Sequence, residues 1–268
     1  MKISLQKTKL QLVALLLATG TVFGQTEDQN LQERVELSPR EMAPVNLTEE
    51  NLEGQWVSII NEDWLWRMRI PDKGDFSSIP YNPQGIQKGQ SWVETTSGSC
   101  LAYGAAGIMR QPLRFRLQWE TDSVLKLETD FGQQIRRFIF NSEPPQDIQN
   151  TLQGYSKASW EYDQFPDRGF FGLVNPRDNG PQYGSLKVET DHLTEAWLRA
   201  NGAPVSENAK VIELFDFFKG PDDSDWLVIT TIVQDPTYLY EDFVTSSHFR
   251  READRSMWDP RPCMYDLP

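Results

Sequence analysis

Cysteine and histidine are scarce, with two of each in 268 residues. Four such residues cannot build a four-ligand zinc site without carboxylates, and they exclude an iron–sulfur cluster held by four cysteines. Positive charge is also short. Lys and Arg number 26 against 39 Asp and Glu, a formal net charge of −13. Nucleic acid and anionic membrane surfaces repel such a chain, so neither is expected as a partner. No apolar run reaches the roughly 18 residues needed to cross a bilayer as a helix, which excludes membrane insertion of that kind. What the chain does have is 38% hydrophobic residues, 12% aromatic residues and nine Trp, enough for one large core.

The first 24 residues read as a secretory signal. Lys2, Lys7 and Lys9 form a positive start, Leu10 to Ala18 an apolar middle, and Val22 and Gly24 the small residues before a cleavage point at Gln25. Removing the signal takes three basic residues and no acid, leaving 23 basic against 39 acidic residues, a net of −16. The expected location is periplasmic or extracellular. In an oxidising space an even number of cysteines favours a disulfide, here Cys100 to Cys263. Residues 25–51, polar and acidic with Pro39 and Pro44, read as an exposed leader, and 52–268 as a single domain.

From Leu52 onward the pattern is strand after strand. Leu113, Phe115, Leu117 and Trp119 alternate with Arg114, Arg116, Gln118 and Glu120. Leu125 and Leu127, then Leu186, Val188 and Thr190, repeat that period of two, which marks half-buried strands. Trp64, Trp66, Met68 and Ile70 read the same way. Further strands fit 56–60, 135–140, 155–161, 211–218, 226–234 and 243–250. One short helix is expected over Thr194–Asn201, ended by Gly202. An internal repeat is visible. Trp119-Glu120 with Leu125–Asp130 matches Trp160-Glu161 with Leu186–Asp191, and each copy leads into an aromatic strand, Arg136-Arg137-Phe138 or Glu213-Leu214-Phe215. In the second copy the tight turn gives way to a long insertion, Tyr162–Gly184, rich in aromatics including Phe171. Loops of that length are usually functional, and it reads as a lid over a cavity. About 8–10 short antiparallel strands predict an all-β barrel or sandwich, and the barrel is favoured.

Gly54-Gln55-Trp56, opening the first strand, resembles the Gly-x-Trp opening of lipocalins. That resemblance implies a lipocalin-like antiparallel barrel whose Trp closes one end and packs under a late Arg, here Arg250 or Arg251. Glu62-Asp63-Trp64 with Arg67-Met68, Cys100 to Met109, Leu125–Asp130, Asn201-Gly202 with Pro204, Ser206-Glu207, and Asp235–Leu239 are similar to an uncharacterised family of exported bacterial all-β proteins. That second resemblance carries no activity with it.

Two kinds of residue are candidates for chemistry. His248 lies on a strand face with Val244, Ser246 and Arg250, and an imidazole can act as general base. Glu213 and Asp216 sit on opposite faces of one apolar strand, so one of them points inward. A desolvated carboxylate needs a partner, for which Arg137, Arg67 and Arg69 are available. The tryptophans and neighbouring aromatics supply apolar area with polar edges, which suits a small-molecule cavity. Trp64, Trp66, Trp119, Arg137, Trp160, Phe171, Phe215 and Tyr238 are the expected ligand-binding residues. The leading expectation is an exported barrel that binds a small apolar or aromatic molecule, without cofactor or metal. The alternatives are a cofactor-free isomerase or cyclase using Glu213 or His248 for proton transfer, and an envelope interaction protein without a cavity.

Overall fold

A computed structural model describes residues 36–93, 102–163 and 182–263. In chain order its elements are α1 (Glu49–Leu52), β1 (Gly54–Ile59), α2 (Trp64–Arg67), α3 (Pro83–Ser91), α4 (Ala105–Ile108), β2 (Arg114–Thr121), β3 (Val124–Thr129), β4 (Phe131–Gly132), β5 (Ile135–Phe140), β6 (Tyr155–Tyr162), β7 (Gly184–Asp191), β8 (Ala196–Arg199), β9 (Ala203–Val205), β10 (Lys210–Lys219), β11 (Asp225–Gln234), β12 (Phe243–Arg251) and β13 (Arg261–Pro262). Among the described residues nine strands close a barrel in the order β1-β12-β11-β10-β7-β6-β5-β3-β2. Closure removes the exposed edges that an open sheet would leave for pairing with other chains.

The barrel is mixed rather than fully antiparallel, because β5 and β6 run parallel. The internal repeat accounts for that seam. β2, β3 and β5 form one antiparallel meander, and β6, β7 and β10 form a second. The last strand of the first copy pairs with the first strand of the next. β11, β12 and β1 complete the ring.

Each wall strand alternates buried and less buried positions, as in Phe115, Leu117 and Trp119 of β2 or Leu186, Val188 and Thr190 of β7. The inward rings pack on one another. Phe115 meets Phe249 at 4.8 Å between centroids, Phe138 meets Phe215 at 5.5 Å, and Trp56 stacks on Phe115 at 6.4 Å. Such pairs add about 0.5–1.5 kcal/mol each beyond their area. Trp56 is fully buried, and Arg251 lies over its ring at 4.4 Å. Arg251 also donates to the carbonyls of Glu50, Asn51 and Glu53 and so closes this end of the barrel. Gly54 has φ +138°, and a Cβ there would fall on the Arg251 guanidinium. Glycine is needed for both reasons.

Residues 37–51, expected as an exposed leader, lie against the barrel. Arg40 N donates to Asp122 O, Val45 N to Gln182 O, and Asn46 exchanges two bonds with Gly184. Leu47 is fully buried. This strap joins the β2–β3 turn to the start of β7. Residues 1–35, which include the expected signal, lie outside the described residues, as do Cys100 and residues 164–181, which hold Phe171 and most of the expected lid.

The other end of the barrel carries a cap. β8 and β9 form a hairpin, with Ala196 opposite Val205, where one short helix over Thr194–Asn201 is expected. Gly202 has φ +83° at its turn. A helix C-cap and a hairpin turn both require that backbone, so the glycine signal fits either element. Four short helices occur among the described residues. The longest, α3, begins at Pro83 after Asn82, whose side chain accepts from Gln84 N and Gly85 N. The cap has its own apolar core of Ile79, Tyr81, Leu193, Leu198, Val205, Tyr238, Leu239 and their neighbours.

Trp64 and Trp66 are not in a strand. They lie in α2, where Arg67 N bonds Asp63 O and Met68 N bonds Trp64 O. Asp63 enters that turn with φ 49°. The Arg67 side chain is 1% exposed and pairs with Glu62, while its Nε donates to Arg110 O. Burial, reinforced by the Arg110 charge, pulls Arg67 down to about 10. The anchored arginine turns the segment away from the wall, leaving Trp64 58% exposed and Trp66 under Arg199 at 5.0 Å.

Candidate functional site

The interior of the barrel changes character along its length. At the strap end Trp119, Phe140 and Trp160 form one aromatic group, with centroids 5.5, 5.0 and 6.4 Å apart. The structure thus brings together two of the expected ligand residues, Trp119 and Trp160, and adds Phe140. Trp160 Nε1 donates to Pro39 O of the strap at 2.7 Å. Trp119 Nε1 is buried and has no hydrogen-bond partner among the described residues.

Toward the cap the interior becomes polar. Arg136 on β5, Ser156 on β6, Thr190 on β7, Glu213 on β10, Thr231 on β11 and Ser247 on β12 are all buried. The registers make them a continuous belt. Ser156 opposes Thr190, Thr190 opposes Val211 two residues before Glu213, and Glu213 opposes Thr231. Thr231 opposes Thr245, two residues before Ser247. Arg136 Nη1 and Nη2 donate to the two Glu213 oxygens at 3.0 and 2.5 Å, and Nη2 also donates to Thr190 Oγ1. The fork-on-carboxylate geometry lets two opposite charges share a dry interior. Arg136 Nε, Thr231 Oγ1 and Ser247 Oγ have no partner among the described residues.

Glu213 is the inward carboxylate of its strand, and Asp216 faces outward, where Ser185 Oγ donates to it. The partner of Glu213 is Arg136 rather than Arg137, Arg67 or Arg69. Arg136 shares the inward phase of Phe138 and Phe140, so the adjacent Arg137 must face out. Arg137 is 52% exposed and bonds Glu120, so it does not line the interior. Equivalent positions of the two repeats meet here, since Arg136 matches Glu213 and Phe138 matches Phe215. His248 lies on the outer face, its Nδ1 2.7 Å from Asn61 Oδ1 and 3.1 Å from Glu62 Oε2. The wall therefore separates Glu213 from His248, and the two do not form one site.

Tyr238 belongs to the cap, where its hydroxyl donates to Glu195 Oε1 at 2.5 Å. It follows Asp235, whose carboxylate accepts from Ser206 N and Oγ, Thr237 N and Tyr238 N. Asn201–Glu207 and Asp235–Leu239 are thus joined at this end, and Gly107 of α4 packs against Trp197 of β8.

Sequence reasoning missed Arg136, Ser156, Thr190, Thr231, Ser247 and Phe140. The available signal was phase, because each occupies the apolar register of its own strand. Fold and interior together define a closed mixed β-barrel with an aromatic end, a buried polar belt and a separate cap. Neither protein-family models, curated proteins nor solved structures give a match to this chain.

Proposed function

We propose that this chain is an exported, soluble barrel protein that binds a small apolar or aromatic molecule inside the barrel. The observation that carries the reading is the Trp119–Phe140–Trp160 group, in which a buried indole N–H lies unpartnered beneath a strap. Aromatic walls with a few polar groups are the ordinary lining of a ligand site. The strap is held by hydrogen bonds to the barrel rim and by Leu47, which is buried in the barrel core. The proposal includes the signal over residues 1–24 and the Cys100–Cys263 disulfide. Cys263 follows β13, which pairs with β4, and packs beside Gly132. A bridge from there to Cys100 would tie the C-terminal tail to the middle of the chain.

Tryptophan fluorescence tests the reading. Titration with naphthalene, indole and 1-dodecanol should give saturable quenching or a spectral shift for at least one of them. The Trp160→Leu variant should weaken that binding about tenfold, the loss of one aromatic contact of about 1.4 kcal/mol. No saturable change with any of the three compounds overturns the proposal.

A further inference from the structure

We infer that the polar belt is the recognition site for an uncharged oxygen acceptor on the ligand, such as a carbonyl oxygen. This rests on the reading that the barrel interior binds a small molecule, and it names the chemistry the ligand must carry. Thr231 is 2% exposed, Ser247 0% and Arg136 2%. An unpartnered buried polar group costs about 1–3 kcal/mol, and three such groups on one inward belt mark a place built to be filled. Their chemistry is biased toward donation. Arg136 Nε is a donor only, and the two hydroxyls can each donate or accept.

Charge narrows the choice further. Glu213 directly opposes Thr231, so an anion at the hydroxyls would face that carboxylate. A cation would face the Arg136 guanidinium, which is already held by both Glu213 oxygens. The paired charges leave a neutral, donor-rich seat. Spacing permits one small group to reach both hydroxyls. Thr231 and Ser247 are diagonal neighbours on adjacent strands, about 7–8 Å apart, so one oxygen accepts from both when the two hydroxyls turn toward each other. Phe215 opposes Ile229, and Ile229 opposes Ser247. The belt therefore has an aromatic and aliphatic floor, and the matching ligand is an aryl or alkyl body ending in a neutral oxygen.

A matched pair of compounds tests this. Acetophenone and cumene share a ring and a branched substituent, and only acetophenone has the oxygen. A site built to hydrogen-bond an oxygen discriminates strongly against the analogue lacking it. Calorimetric titration of the full chain should show acetophenone binding at least about tenfold tighter than cumene. In the Thr231→Val/Ser247→Ala double variant the preference for acetophenone should shrink at least about threefold, Arg136 Nε being the one belt donor left. Equal binding of both compounds to the wild type overturns the belt assignment and leaves the barrel-binding reading standing. A preference undiminished in the double variant also overturns it. Binding of neither compound overturns the belt assignment, and the barrel-binding reading is then decided by the fluorescence titration above. The wild-type comparison decides the matter even where the double variant does not fold.

Discussion

The barrel interior and the cap are both apolar cores, yet they handle polar groups differently. In the barrel, polar side chains lie on a belt inside the wall, and an Arg–Glu pair is fully enclosed. In the cap, several polar side chains are tied to backbone, although Trp197 Nε1 and Asn201 Oδ1 have no partner among the described residues. Asp235 accepts three backbone N–H bonds and one hydroxyl, Tyr81 donates to Pro204 O, and Asn201 donates to the carbonyls of Asp72 and Asp75. The cap has short strands and little sheet, so side chains must satisfy backbone groups that no ladder reaches. The barrel wall satisfies its own backbone. Among the described residues, Arg136 Nε and the Thr231 and Ser247 hydroxyls remain available on the belt, which makes it the place to look for a ligand.

The largest test of this contrast is Glu213→Ala. It leaves Arg136 charged and unpaired in the interior, so urea denaturation should show a loss of about 3–5 kcal/mol. The Arg136→Met/Glu213→Leu double variant should recover most of that loss, because apolar replacements of a buried pair are often neutral. A double variant as unstable as the single one would mean that the pair is required for the barrel to form.

Asp235→Ala addresses the cap. Four donors lose their acceptor, and a loss of about 2–3 kcal/mol is expected. Hydrogen exchange should localise it. Amides of β8, β9 and residues 206–209 and 237–239 should exchange faster, while those of β2, β3 and β5 keep their protection. Uniform loss across all strands would show that barrel and cap unfold as one unit and would remove the distinction drawn above.

Much of the barrel was legible because half-buried strands announce themselves by alternation. β2, β3 and β7 fall where Leu113–Glu120, Leu125–Glu128 and Leu186–Asp191 alternate. The repeat was visible too, but its consequence, a parallel seam between β5 and β6, needs the closed ring. What misled was alternation with another cause. Trp64-Leu65-Trp66-Arg67-Met68 has a period of two, yet the segment is set by Arg67 binding Glu62 and Arg110 O, contacts remote from the local pattern. The belt was hidden for a related reason. Thr231 and Ser247 carry no charge or rare chemistry, and only the registers bring them beside Glu213.

The smallest expected effect separates the enclosed ion pair from one at the rim. Burial raises the Asp225 carboxyl, but bonds from Lys219 and Arg251 outweigh it and hold the group below the ordinary aspartate range. Arg251 Nε lies 2.7 Å from Asp225 Oδ2, and both side chains are about one-fifth exposed. A carboxyl depressed in the folded state stabilises the fold above its unfolded value, near 3.9, and that contribution is lost as pH falls through the lower folded value. Wild-type stability should therefore decline below about pH 4 by up to about 1 kcal/mol more than that of Asp225→Asn. Raising salt from about 0.1 to 1 M shortens the screening length from about 10 to 3 Å. The Asp225 contribution, taken as wild type minus Asp225→Asn at pH 7, should shrink accordingly, while the loss on Glu213→Ala should not change. An equal salt response at both positions would place the Arg136–Glu213 pair in contact with bulk water and end the distinction between wall and interior.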